Sequence, residues 1–215
     1  MVILFDLFYS RRMDKNFMIL GLTGAFGGGK STVLKYFAEK KWFVFDADAA
    51  CHAIYEKADA ALLTDISNIF GPAAITADGG IDRKEIARQG FTDRTLLDKL
   101  TALIYPRLTS AMREAISGCR QKQIHAIFEL PLLYEGGFEN EFDAILAVWT
   151  SPEIRCERLK QRNFTAEDMA RRDAGQLDPA LKLEKADFAV INNGSTELLR
   201  SQLDALVQKW QTYSE

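Results

Sequence analysis

Several residue types that often mark a function are scarce in this sequence. Its 215 residues include only three cysteines, Cys51, Cys119 and Cys156, and two histidines, His52 and His125. The cysteines are odd in number and lack metal-ligand spacing, which disfavours a disulfide framework and indicates a reducing compartment. Two histidines give little basis for a histidine metal site. We therefore expect a cytoplasmic protein whose cysteines are reduced.

Long apolar runs and an excess of positive charge are also missing. The apolar run 1–9 is about half the length that spans a bilayer, and its positive charges, Arg11 and Arg12, follow it, whereas those of a signal peptide come first. We predict that residues 1–17 form an N-terminal extension outside the core, with no membrane partner. The formal net charge of -3 disfavours a nucleic-acid partner.

From residue 18 onward, short apolar runs alternate with helical patterns. The pattern predicts strands at 18–22, 42–45, 124–128, 144–149 and 188–191, with helices at 31–40, 153–161 and 196–210. Continuous apolar strands separated by helices indicate an α/β fold, here a five-stranded parallel sheet with helices on both faces. We predict one domain, 18–215. The largely helical segment 49–118 is too long for a simple crossover and is interpreted as an inserted substrate lobe; the charged segment 155–185 is interpreted as a lid.

The most informative motif is a glycine-rich segment between the first predicted strand and the first helix. It has the complete phosphate-loop pattern, in the sequence Gly24-Ala25-Phe26-Gly27-Gly28-Gly29-Lys30-Ser31. Glycines let backbone N–H groups surround phosphate oxygens, and the helix start adds its positive dipole end. Lys30 can reach the β- and γ-phosphates, and the Ser31 hydroxyl can ligate Mg²⁺. The alternative, a chance glycine-rich turn, is disfavoured because strand, loop and helix occur together.

Two carboxylates, Asp46 and Asp48, follow the second predicted strand. Ligands of open α/β sheets bind at the carboxyl ends of the strands, so these side chains are expected to face the phosphates. Transfer of a phosphoryl group to a hydroxyl needs a base and an anion that helps to hold Mg²⁺. The alternative is a helix cap, which is more serious for Asp46 than for Asp48.

Three arginines, Arg155, Arg158 and Arg162, recur at spacings of three and four, and Arg171 and Arg172 follow. That spacing places the first three along one helix face. Arginines on a closing lid stabilise the charge of a transferring phosphoryl group. A solvated charged face is an equally common origin of such a run, and the phosphate loop favours the functional interpretation.

A further carboxylate, Glu129, ends the third predicted strand at the ligand edge of the sheet. It could hold Mg²⁺ or its waters. A helix cap and a partner for a lysine or arginine are equally good interpretations.

The combined motifs resemble the dephospho-coenzyme A kinases, a family of P-loop kinases, over residues 18–206. The similar segments are Ile19 to Gly24 with Lys30-Ser31-Thr32, Phe45-Asp46-Ala47-Asp48, Pro131-Leu132-Leu133 with Glu135, Arg158 with Arg162, Arg172 with Gln176, and Asn192-Asn193-Gly194-Ser195. The family has histidine where this chain has Tyr105, before Pro106, and aspartate where it has Asn192. The segment 1–17 has no counterpart.

The resemblance implies a phosphotransferase that uses ATP and Mg²⁺ to phosphorylate the ribose 3′-hydroxyl of dephospho-coenzyme A, the last step of coenzyme A biosynthesis. It implies that Asp48 is the base and that Lys30, Arg158 and Arg162 are catalytic. The implied ATP-binding residues are Gly24, Gly27, Gly28, Gly29, Lys30, Ser31, Thr32, Arg172 and Asn193. The implied acceptor-binding residues are Asp48, Tyr105, Pro106, Leu132 and Glu135, and Ser31 is the implied metal ligand.

Other interpretations differ in acceptor or in class. Another small-molecule or nucleoside kinase would share the phosphate loop and differ only in the acceptor pocket. A GTPase switch would normally carry an Asn-Lys-x-Asp segment that binds guanine, and this chain has none. The oligomeric state is not predicted.

Overall fold

The computed structural model describes residues 3–4 and 16–212. The strands are β1 (Ile3–Leu4), β2 (Ile19–Gly24), β3 (Phe43–Asp46), β4 (Ala126–Glu129), β5 (Ala144–Trp149) and β6 (Phe188–Ile191). The helices are α1 (Lys30–Glu39), α2 (Ala47–Glu56), α3 (Ala60–Phe70), α4 (Arg83–Thr92), α5 (Arg94–Lys122), α6 (Pro152–Lys160), α7 (Ala166–Asp173), α8 (Pro179–Lys185) and α9 (Thr196–Thr212).

The chain divides into two compact units. The first combines the segment that ends at Asp46 with the residues from Ile116 onward, and the second is Ala47–Ala115. The second unit therefore comprises α2, α3, α4 and the greater part of α5. That this segment binds an acceptor, and that 155–185 acts as a lid, stay predictions.

The sheet has the strand order β1-β6-β5-β2-β4-β3 among the described residues. The five strands from β2 to β6 are parallel to one another, which confirms the predicted five-stranded parallel sheet. Ile3–Leu4 adds a short antiparallel strand against Phe188 and Ala189 of β6. These two residues of the predicted extension therefore join the sheet. The rest of 1–15 lies outside the described residues.

The central strand β2 is buried along its whole length, and its residues Leu20 and Leu22 belong to the main hydrophobic cluster. Val33, Leu34 and Phe37 of α1 belong to the same hydrophobic cluster, together with Leu203 and Trp210 of α9. Since α1 follows the glycine-rich loop directly, this packing fixes both ends of the loop on the core.

The second unit has its own small hydrophobic cluster, which includes Leu62, Ile66 and Phe70 of α3. The α3 helix begins after Asp59, whose carboxylate accepts a hydrogen bond from the Leu62 N–H at 2.7 Å. Ile75 and Ile81 form a β-bridge that closes the loop 76–80. Within 3–4 and 16–212, no helix has the length and apolarity needed to cross a membrane.

Candidate active site

The glycine-rich loop connects β2 to α1, and its geometry depends on glycine. Gly24, Gly27 and Gly29 all have positive φ angles. Gly29 precedes the first residue of α1 at φ 96°, and a Cβ atom there would lie 2.0 Å from Nδ2 of Asn192. No side chain can occupy that position without displacing Asn192, which itself is 6% exposed.

Two buried side chains hold the loop at the carbonyl of Gly28. The Thr150 hydroxyl donates to this oxygen at 2.8 Å, and the Asn192 amide donates to it at 2.9 Å. Thr150 and Asn192 follow β5 and β6 respectively. The carboxyl ends of two strands therefore hold the loop, at the sheet edge where ligands of this fold class bind.

Lys30 lies buried at the base of the loop. Its ammonium donates to the carbonyl oxygens of Gly24 at 3.1 Å and Ala25 at 3.2 Å, and it lies 3.6 Å from Oε1 of Glu129. Lys30 is 8% exposed and Glu129 is 7% exposed, so each charge is compensated inside the protein. Of the interpretations open for Glu129, the structure shows a lysine partner.

The carboxylates predicted at the strand ends fall into both units. Asp46 of β3 is the register neighbour of Glu129 in β4, so these two lie at the same sheet edge. Asp48 is exposed in the first turn of α2, in the second unit. Tyr105 is half-buried and Pro106 exposed in α5, also in that unit. The placement of these three relative to the loop stays a prediction.

The first two arginines of the predicted run have different environments. Arg155 is 3% exposed and makes two hydrogen bonds to the Asp173 carboxylate, at 3.0 and 2.7 Å, and a third to the Phe26 carbonyl at 3.2 Å. Arg158 donates from Nη2 to Oδ1 of Asn192 at 3.4 Å. Its Nη1 atom is buried and has no hydrogen-bond partner among the described residues.

The unpartnered nitrogen of Arg158 lies beside the loop. A Cβ atom built on Gly29 would lie 3.9 Å from it. A buried guanidinium N–H without an acceptor is costly unless an anion is bound there. Arg158 therefore has the charge and the location to contact a phosphate on the loop.

The remaining arginines are exposed. The Arg162 guanidinium is 5.7 Å from the centre of the Phe164 ring. The Arg172 guanidinium is 4.2 Å from the centre of the Phe26 ring, which itself packs edge-on against Phe164 at 5.1 Å. Arg171 forms an ion pair with Asp168 on its own helix, at 3.0 Å. Phe26 thus connects the loop with the segment 155–185.

The segment that follows β4 is held by the burial of Leu133 and by the contacts of Glu135. Leu133 is fully buried, whereas Leu132 is 39% exposed. Oε1 of Glu135 accepts a hydrogen bond from the backbone N–H of Leu177 and lies 3.0 Å from the ammonium of Lys182. Lys182 also donates to Oε1 of Gln176 at 2.9 Å. The structure therefore brings Glu135 and Gln176 together through a lysine that sequence reasoning missed.

Tyr134 lies next to Glu135. Burial raises the pKa of its phenol above the usual range, and the carboxylates of Asp187 and Glu139 raise it further. Its hydroxyl is buried and has no hydrogen-bond partner among the described residues. The ionised form of this phenol is therefore even less accessible than that of an ordinary tyrosine.

The other predicted nucleotide-binding residues lie at the rim of the loop. Ser31 and Thr32 are exposed in the first turn of α1, and the Thr32 N–H donates to the Gly29 carbonyl at 3.0 Å. Asn193 is exposed, and its side-chain oxygen accepts a hydrogen bond from the Ser151 N–H at 2.9 Å. Asn193 therefore links the end of β6 with the start of α6.

Comparison with known proteins gives a consistent result. A family model described as dephospho-CoA kinase matches residues 18–197. The chain is 36% identical over 192 residues to a dephospho-CoA kinase of Deinococcus radiodurans, which covers 88% of this chain and 91% of that protein. It is 35% identical over 187 residues to a dephospho-CoA kinase of Corynebacterium jeikeium, covering 86% of this chain and 95% of that protein.

Two solved structures are similar along most of the chain. The crystal structure of TT1252 from Thermus thermophilus has a TM-score of 0.73 at 29% identity, covering 91% of this chain and 98% of that one. The dephospho-CoA kinase from Campylobacter jejuni has a TM-score of 0.72 at 23% identity, covering 92% of this chain and 98% of that one. The second likeness concerns the fold alone.

Proposed function

The chain belongs to the dephospho-coenzyme A kinase family, and from that membership we infer how its own residues carry out the reaction. The enzyme is a P-loop kinase that phosphorylates dephospho-coenzyme A with ATP, giving coenzyme A and ADP. One observation supports the assignment of roles most strongly. The buried ammonium of Lys30 and the unpartnered, buried Nη1 of Arg158 from α6 both lie beside the loop between β2 and α1.

We assign ATP to the loop. The backbone of Gly24, Gly27, Gly28 and Gly29 would cradle its phosphates together with Lys30, Ser31 and Thr32. Lys30 would exchange one of its carbonyl partners for a γ-phosphate oxygen. Arg158 would give the same phosphate the hydrogen bond that its Nη1 lacks. Arg172, which lies over Phe26, and Asn193, at the end of β6, would line the nucleotide on the side of the segment 155–185.

Ser31 is the protein ligand that we propose for Mg²⁺. Its hydroxyl is exposed in the first turn of α1, next to Lys30. The described residues contain no group of three histidine, cysteine or carboxylate side chains that could hold a metal. In P-loop enzymes the ion is held by such a hydroxyl together with phosphate oxygens and water. When bound, such an ion neutralises charge on the β- and γ-phosphates.

Asp48 is the proposed base. It would accept the proton of the ribose 3′-hydroxyl while that oxygen forms a bond to the γ-phosphorus and ADP leaves. Lys30, Arg158 and Arg162 would stabilise the charge on the transferring group, and the segment 155–185 would close over it.

The acceptor-binding residues that we propose come from two segments of the chain. We propose Tyr105 and Pro106 in the segment 49–118, and Leu132 and Glu135 in the segment after β4. The exposed Leu132 and the anchored Glu135 support this placement. Dephospho-coenzyme A is then the small-molecule partner. We propose no nucleic-acid or membrane partner and a cytoplasmic location.

ADP release tests the function directly. The protein is given ATP and Mg²⁺ with dephospho-coenzyme A or, in parallel, with nucleoside monophosphates, shikimate or pantothenate. Release with dephospho-coenzyme A alone, abolished by a chelator of Mg²⁺, is the expected result. Release with another acceptor would retain the phosphate chemistry and replace the substrate. No release with any acceptor would contradict the proposal.

The role of Asp48 is tested by Asp48→Asn. We expect kcat to fall by about 100-fold or more, because a positioned base contributes about 10²–10⁴-fold, and ATP affinity to stay unchanged. Glu56→Gln, at an exposed carboxylate on the same helix, is the control and should retain full activity. Turnover at the wild-type rate in Asp48→Asn would refute the assignment.

A further inference from the structure

Lys182 is the most deeply buried charged side chain outside the loop among the described residues, with 1% of its surface exposed. It lies on α8, a short helix that begins after Asp178. Its ammonium donates to the Pro131 carbonyl at 2.6 Å and to Oε1 of Gln176 at 2.9 Å, and lies 3.0 Å from Oε1 of Glu135. A lysine can donate three hydrogen bonds, so these three acceptors saturate it.

The three acceptors come from two separate parts of the chain. Pro131 and Glu135 flank the segment in which Leu132 is exposed. Gln176 belongs to the turn between α7 and α8. The Leu177 N–H donates to the same Glu135 oxygen that faces Lys182. Glu135 is therefore fixed by one charged and one backbone donor, and both come from the end of the segment 155–185.

The buried charge makes this arrangement specific. An ammonium removed from water is stable only with acceptors in good geometry. Pro131, Glu135 and Gln176 must therefore remain around Lys182 for the charge to be tolerated. A neutral side chain of similar length could fill the volume, but it would leave the carbonyl of Pro131 and the Glu135 carboxylate without this donor.

We propose that Lys182 is a positioning residue for the acceptor. It fixes the conformation of residues 131–135 before dephospho-coenzyme A binds, by holding the Pro131 carbonyl and the Glu135 carboxylate at the same time. It acts through these groups and does not touch the reacting atoms. The inference rests on the proposed function, since it assigns Glu135 and Leu132 to the acceptor site.

The test is Lys182→Met, analysed by steady-state kinetics with each substrate varied in turn. We expect KM for dephospho-coenzyme A to rise by about tenfold or more, because small displacements of a binding group are costly. KM for ATP should stay unchanged. Lys122→Met, at an exposed lysine at the end of α5, is the matched control. Calorimetry with dephospho-coenzyme A alone should show the same loss of affinity.

Two further variants test whether Lys182 acts through Glu135. They are Lys182→Arg and the double variant Lys182→Met with Glu135→Gln. The arginine keeps the charge and should recover part of the acceptor affinity. The double variant should have the same acceptor KM as the more impaired single variant, because both substitutions remove the same contact, the one between Lys182 and Glu135. If Lys182→Met does not fold, Gln176→Leu removes one of the three acceptors and should raise the acceptor KM in a folded protein.

The outcomes separate this inference from the function itself. Failure of the wild-type protein to phosphorylate dephospho-coenzyme A would overturn the proposed function. If the wild type is active, a folded Lys182→Met variant with an unchanged acceptor KM would overturn the positioning role. Equal changes in KM for both substrates, or additive effects in the double variant, would also overturn it, because they indicate a general structural role.

Discussion

Gly29→Ala is the substitution whose effect follows most directly from the geometry of the loop. The new methyl group would meet Nδ2 of Asn192 at 2.0 Å, on a backbone with φ 96°. The backbone conformation costs about 1–2 kcal/mol for a residue with a Cβ atom. Displacement of Asn192 breaks its hydrogen bond to the Gly28 carbonyl, and leaving that buried amide unpaired costs a further 1–3 kcal/mol or so.

The expected loss for Gly29→Ala is thus about 2–5 kcal/mol of unfolding free energy, a large part of the roughly 5–15 kcal/mol of a typical domain. Urea denaturation followed by circular dichroism measures it. Gly137→Ala is the control, because Gly137 has φ 68° and nothing within 4 Å of its Cβ position. It should show only the backbone cost.

A double variant tests the role of Asn192. Gly29→Ala combined with Asn192→Ala removes the clash, so it should be more stable than the sum of the two single effects by about 1–3 kcal/mol. A Gly29→Ala protein no less stable than Gly137→Ala would refute the reasoning. Strict additivity in the double variant would do so as well.

Two further predictions concern stability. Arg155→Met should lower the unfolding free energy by about 3 kcal/mol, the lower end for a broken buried ion pair, because the Asp173 side chain is 25% exposed. Arg171→Met, which breaks an exposed ion pair, should cost less than about 1 kcal/mol in the same urea assay. Equal losses in the two variants would contradict the difference between the buried and the exposed pair. His125 is exposed at the surface, but Trp42 stacks on its ring at 4.6 Å and the resulting partial desolvation lowers its pKa. Its Nδ1 accepts the Met18 N–H at 3.2 Å. The unfolded chain therefore binds the proton more readily, so stability should fall as the pH drops from about 6.5 through the folded-state pKa. His125→Gln should flatten that pH dependence of the urea midpoint, and an unchanged slope would show that other groups cause it.

The phosphate loop could be predicted from sequence because its signal is local. Gly24 to Ser31 are contiguous, and a buried strand before them and a helix after them fix their context. The five parallel strands were equally predictable, since each is a short apolar run. The pairing of Ile3–Leu4 with β6 could not be predicted, because a strand of two residues has no periodic pattern. The pairing depends on the free edge of β6 in the folded sheet.

Site residues could be predicted where the residue type alone limits the chemistry. They could not be predicted where the role of a side chain depends on the residues that contact it in the fold. Arg155 and Arg158 are equivalent in the sequence pattern. Only the fold shows that the carboxylate of Asp173 pairs with the first, whereas the second contacts the neutral amide of Asn192. Lys182 gave no signal, because a lysine in a short charged helix usually points into solvent. Its burial depends on Pro131 and Glu135, which lie about fifty residues earlier in the chain.

Asn192 has a consequence for the charge balance of the loop. Lys30 faces Glu129, and Arg155 faces Asp173, so these two positive charges are cancelled by carboxylates. Arg158 contacts the neutral amide of Asn192, and no ion pair compensates its charge among the residues that the structure describes. The Arg158 guanidinium is therefore a positive charge beside the loop that a polyphosphate can neutralise. We therefore expect nucleotide capture to weaken as ionic strength rises, and a carboxylate at position 192 to reduce that sensitivity.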